Sequence, residues 1–163
     1  MEPIPEEAVE KTWQEVAGFT PGQQHKEMGK VAKNQPDLLA FMMEFTEELD
    51  QEVKELAIYI FFVVYRMFEK SSRKRIRKIS AKEIIECYEY NEGLMKSLEG
   101  VHEKFLDRIA RAELSRQPYV IKYVTDTLIE APEEEDSIVL TEEDVGFLFL
   151  LLKTVVDVVD KTV

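Results

Sequence analysis

Glu99-Gly100-Val101-His102 sets a carboxylate and an imidazole three residues apart. On a helix that spacing aims both groups at one point, which is how helical di-metal proteins hold their ions, with two such pairs in each site. The second pair is missing here, because His25 is the only other histidine and Gly22 stands three residues before it. Glu83, Glu86, Glu89 and Glu92 could add oxygen ligands, yet their spacing also describes a helix face turned to water. His102-Glu103-Lys104-Phe105-Leu106 begins like the helix of a zinc protease and has leucine where the second histidine must coordinate. Glu99 and His102 are therefore the candidates for a carboxylate-rich metal-binding protein or enzyme, and they fall short of a ligand set. The sequence assigns no catalytic residue and no cofactor.

Nucleophilic and phosphate chemistry have less support. Cys87 is the single cysteine. It excludes an intramolecular disulfide and a thiolate cluster, and it reads first as a small buried apolar group. Neither a glycine-rich phosphate loop nor a Gly-x-Ser-x-Gly elbow occurs.

The sharpest local charge feature is Arg73-Lys74-Arg75-Ile76-Arg77-Lys78, five cations in six residues within a basic connector over 71–79. Arg73, Arg75 and Arg77 are candidate interaction residues. They could contact phosphates; the competing reading sets them at the carboxyl end of the preceding helix, where they complement its dipole. No aromatic residue interleaves them to stack on bases. The whole chain carries 21 basic and 33 acidic residues, a net charge of −12, which disfavours nucleic acid as a partner. That charge is uneven. Residues 1–70 hold 7 basic and 14 acidic groups (net −7), 71–116 hold 11 and 8 (net +3), and 117–163 hold 3 and 11 (net −8). A basic middle between acidic flanks implies complementarity inside the folded chain. Arg77 three residues before Ser80 matches a basophilic kinase site, but Ser80 as a helix cap explains the same residues equally well.

The elements that must position these residues read as helices. Pro5 opens a first helix to about residue 17, and Thr20-Pro21-Gly22-Gln23 is a capping box for a second over 21–33. Pro36 opens a third that ends near Asp50. A fourth, from Glu52 through Phe68, contains Leu56 to Tyr65 with no polar face; its β-branched and aromatic content also fits a core strand, but no turn signal interrupts it. Ser80-Ala81-Lys82-Glu83 caps a long fifth helix, whose seam Ile84, Tyr88, Asn91, Met95, Leu98 and His102 continues to about Glu113. Gly93 and Gly100 could break that helix or admit a close neighbour. Pro118 opens a sixth to about Glu130, 131–140 is an acidic loop, and Thr141 caps a seventh with a second apolar stripe.

The expectation is a single all-α domain, 1–163, of about seven helices. Gln35-Pro36 and Gln117-Pro118 lie 117 − 35 = 82 residues apart, and each opens a helix that precedes a strongly apolar one. This echo suggests two related three-helix units, 21–70 and 101–161; coincidence is the alternative. Neither apolar run reaches the roughly 20 residues that span a bilayer, so no membrane partner is expected. The opening Met1-Glu2-Pro3-Ile4 lacks a basic region followed by an apolar run, so no signal peptide is expected and a cytoplasmic location follows by default. Function is expected to be non-catalytic: a helical interaction or structural protein that docks a protein partner or self-associates. Phe61, Phe62, Phe147 and Leu151 are placed in or beside the shared core.

Overall fold

The computed structural model describes residues 1–99, 115–129 and 140–163, with side chains to residue 96 in the first stretch. Seven helices and no strand are present among the described residues: α1 (Glu6–Ala17), α2 (Pro21–Asn34), α3 (Pro36–Phe45), α4 (Gln51–Ser71), α5 (Ala81–Glu99), α6 (Pro118–Ile129) and α7 (Glu142–Thr162). None of them is long and apolar enough to cross a membrane.

The starts follow from side chains that satisfy orphan backbone donors. Gln23 N donates to Thr20 Oγ1 at 3.1 Å while Thr20 N donates to Gln23 Oε1 at 2.9 Å. Ser80 and Glu83 repeat the exchange at α5, with 3.3 Å from Glu83 N to Ser80 Oγ and 2.9 Å from Ser80 N to Glu83 Oε2. Asp144 N donates to Thr141 Oγ1 at 3.1 Å, which caps α7.

Two expectations change. α3 stops at Phe45 rather than near Asp50. Thr46 turns its buried hydroxyl back onto Met42 O at 2.7 Å, and Leu49 N bonds Thr46 O at 3.1 Å, so the chain closes a turn before α4. α5 runs straight through Gly93, and a Cβ there would meet nothing within 4 Å, so this glycine neither breaks the helix nor admits a neighbour. The expected continuation of α5 over 100–113, Gly100, the acidic loop over 131–139 and most of the junction in the unit 101–161 lie outside the described residues.

α4 and α7, each 21 residues long, pack on each other in the middle of the molecule. Phe61, Val63, Val64 and Met67 from one, and Leu151, Leu152, Val155 and Val156 from the other, are fully buried. Their neighbours are arranged alike on the two sides. α1 packs on α4 and on α6, while α5 packs on α7 and on α3; α3 also lies on α4, and α6 on α7. At the α3–α5 contact Tyr88 meets Phe45 edge-on, with ring centroids 4.9 Å apart. α2 packs chiefly on α3 and buries only Val31 of its own residues, so it is a polar outrigger.

The two Gln-Pro pairs perform the same task. Gln35 accepts from Ile79 N at 3.0 Å and donates to Arg77 O at 2.8 Å. Gln117 accepts from Ile4 N at 2.8 Å and donates to Glu2 O at 3.2 Å. Each buried amide thus satisfies one backbone carbonyl and the N–H two residues later in a non-helical segment. Each braced segment inserts an isoleucine, Ile79 or Ile4, into the core immediately before a helix begins. Gln117 also donates to Asp160 at 2.8 Å, giving this nearly buried carboxylate a partner.

Gln35→Ala leaves a buried N–H and a carbonyl unpaired, which costs about 1–3 kcal/mol. Urea unfolding should show that loss, and a change below about 0.5 kcal/mol, the size of an ordinary surface substitution, would contradict the bracing role.

Candidate functional site

Of the residues singled out by sequence, Phe61, Phe62 and Leu151 are buried in the core that α4 and α7 form with their own neighbours, and Phe147 is half-buried beside it. Glu99 is the last residue of α5; its side chain and all of His102 lie outside the described residues. Among the described residues no three His, Cys, Asp or Glu side chains gather in a group that could hold a metal ion.

A polar cluster joins α5 to α7 inside the core. Lys153 Nζ donates to Asn91 Oδ1 at 3.0 Å and to Asp157 Oδ2 at 2.6 Å. Asn91 Nδ2 lies 3.2 Å from the same carboxylate oxygen and 3.3 Å from Thr154 Oγ1. The Lys153 side chain is 7% exposed and that of Asp157 23%, so the pair opens to water only at the carboxylate. Asn91 was legible as a seam residue. Lys153 and Asp157 were missed, although a lone cation inside Leu150-Leu151-Leu152-Lys153-Thr154-Val155, with an acid one turn on, was a signal. Because Asn91 accepts from Lys153 and donates to Thr154 and Asp157 on the facing helix, sliding α5 by one turn would strand buried polar groups, so the cluster fixes the register of the two helices. Cys87 sits against it, with Sγ 3.8 Å from Thr154 O. Burial, and then the Asp157 carboxylate, push its thiol up and away from the reactive thiolate.

The second constellation is at the surface. Between α4 and α5 the chain turns at Ser72, whose hydroxyl donates to Lys74 O at 2.6 Å and accepts from Lys74 N at 3.3 Å. It then crosses the α2–α3 junction under the grip of Gln35. Ile76 and Ile79 point into the core, whereas Arg73, Lys74, Arg75, Arg77 and Lys78 are exposed. Arg75 Nη2 donates to Asn34 Oδ1 at 3.1 Å, which ties the connector to the end of α2. α2 brings Lys26, Lys30 and Lys33 at intervals of four and three, all exposed on one face. Lys30 pairs with Glu27 at 3.1 Å and Arg77 with Glu83 at 2.5 Å. Lys26, Lys33, Arg73, Lys74 and Lys78 have no ion pair among the described residues. The expected cations 73, 75 and 77 thus belong to a larger basic ridge, to which α2 contributes the half that sequence reasoning did not assign.

Where α1, α2 and α4 meet, the charges are matched. Arg66 Nη2 on α4 donates to Glu15 Oε1 of α1 at 2.7 Å, Lys70 pairs with the other oxygen of Glu15, and the Arg66 guanidinium lies 5.0 Å from the Phe19 ring centre. Hydrogen bonds from Lys70 and Arg66 hold the Glu15 carboxyl below its usual range. This network staples α1 to α4, and Arg66 Nη1 extends it to α2 by donating to Glu27 Oε2 at 3.4 Å.

Comparison with protein-family models, curated proteins and solved structures finds no match to this chain.

At the ridge's end the Arg77 guanidinium, and then Ser80, lower the Glu83 carboxyl to about 2. A depressed folded-state value stabilises the protein above the unfolded carboxylate range, and the contribution disappears as pH falls through the folded value. Glu83→Ala should therefore lower the melting temperature by a few degrees at pH 7. The difference from wild type should shrink as pH falls from about 4.5 toward 2. Thermal melts followed by circular dichroism decide this, and a pH-independent difference would contradict it.

Proposed function

We propose that this protein is a non-catalytic helical interaction protein that works in the cytoplasm and docks an anionic partner through the ridge of α2 and the 72–79 connector. The observation that carries the reading is the Gln35 brace. It holds the connector backbone at Arg77 O and Ile79 N while two isoleucines anchor it from below, so the cations are presented from a fixed chain rather than a loose loop. Preorganised charge loses less entropy on binding than charge on a mobile tail. A patch of one sign on a chain of opposite net charge also orients an approaching partner toward the patch and away from the rest. The buried cluster around Lys153 supports the same division of labour, since its groups are engaged with one another across α5 and α7.

Retention on a sulfonate cation exchanger at pH 7.5 and low salt tests the ridge directly. The wild-type protein should be retained despite its net charge of −12, and Lys33→Glu/Arg73→Glu/Lys74→Glu should flow through with an unchanged circular dichroism spectrum. Wild type and variant eluting together would reject the reading.

A further inference from the structure

We infer that the partner of the ridge is an acidic polypeptide segment, a run of glutamate or aspartate, rather than nucleic acid or an anionic membrane; this rests on the reading of the ridge as the working surface. Three features of the ridge select among polyanions.

The first is extent. The free cations Lys33, Arg73, Lys74 and Lys78 cluster where the connector crosses the end of α2, with Arg75 bonded to Asn34 marking the crossing. On either side of them the charge is answered, Lys30 by Glu27 and Arg77 by Glu83, and Lys26 is the one further unpaired cation of α2 among the described residues. Fields of exposed charges fade over about 8 Å at physiological salt. A short acidic segment fits within that footprint, whereas a nucleic-acid strand overhangs it and meets a surface that brings the whole chain to −12.

The second feature is that α2 and the connector, where His25 is the single exposed aromatic ring, expose no Phe, Tyr or Trp side chain. Strand-binding proteins stack bases on such rings. The large exposed aromatics among the described residues, Trp13, Tyr90 and Tyr119, stand on α1, α5 and α6.

The third is the direction of the apolar residues. Membrane-surface segments pair their cations with apolar side chains that enter the lipid. Here Ile76 and Ile79, the apolar residues interleaved with the cations, are turned into the core, and no large apolar side chain of α2 or the connector is exposed. Carboxylates on a flexible peptide can meet the guanidinium of Arg73 and the separate ammonium groups of Lys33, Lys74 and Lys78 without any rigid repeat of their own.

Fluorescence anisotropy tests this with three labelled probes against the full chain: a peptide of alternating Glu and Ser, an oligo-uridine RNA of similar charge, and vesicles of phosphatidylserine and phosphatidylcholine. The expected result is micromolar binding of the peptide at physiological salt that is tighter than for the other two. The peptide affinity should weaken about tenfold or more in Lys33→Glu/Arg73→Glu/Lys74→Glu, as charge-pair loss predicts. Lys26→Glu/Lys78→Glu provides a second variant with substitutions at exposed positions only. Tighter binding of RNA or vesicles, or peptide binding that survives both variants, overturns the inference. If no probe binds while the wild-type chain is still held by the sulfonate matrix, the partner class is wrong and the ridge reading stands; if the matrix also fails to hold it, both fall.

Discussion

α4 and α7 each present apolar side chains around most of their circumference, and neither can be covered by a single partner layer. Pairing them buries one side of each, and the remaining sides require other helices. Full burial of a Phe, Leu or Val contributes about 1.5–3 kcal/mol, so the pair dominates the favourable energy of the fold. The arrangement of the rest follows from this demand: α1 and α3 close over α4, α5 and α6 close over α7, and the same relations recur on both sides of the central pair. A purely apolar centre leaves the register of such helices weakly specified. The Asn91, Lys153 and Asp157 cluster supplies registration on the α7 side, and the Arg66 and Glu15 network does so at the margin of α4.

Covering the centre also constrains the chain between the helices. The segments before α1 and α5 pass close to the core and carry isoleucines that enter it, so their backbone groups lose water and need partners. Gln35 and Gln117 provide them from the residue ahead of a helix-opening proline. That position is informative in itself: proline supplies no N–H to the preceding turn, and the glutamine before it is free to aim its amide sideways. At the α5 side the consequence reaches the surface. A connector pinned at Arg77 and Ile79 holds its basic residues outward beside α2, and the structural solution for one buried turn thereby creates a fixed cationic edge on an acidic protein.

Most of the fold was legible because it rests on local chemistry. Thr20, Ser80 and Thr141 announce their helices through caps that depend on residues three positions away, and the unbroken run from Leu56 to Tyr65 announces a buried helix through the absence of a polar face. The end of α3 was not legible, since Thr46 turning its hydroxyl onto Met42 competes with a helical pattern that continues through Leu49. The interaction residues were legible only in part. Arg73, Arg75 and Arg77 form a visible run, but Lys26, Lys30 and Lys33 join them through a tertiary bond between Arg75 and Asn34, 41 residues apart. The Gln-Pro echo was visible as a pattern, while its meaning required seeing which backbone groups the two amides reach. Lys153 stands in a largely apolar stripe, and its burial depends on Asn91, a partner 62 residues away.

Native-state hydrogen exchange measured by mass spectrometry or NMR tests the central place of the α4–α7 pair most directly, since amides in the last structure to open exchange only through global unfolding. The account predicts that amides of Ile60 to Phe68 and of Leu148 to Val156 exchange slowest, with a common free energy equal to that of global unfolding, while α2 opens at lower cost because it buries only Val31. Exchange of either central helix ahead of α2 would contradict it.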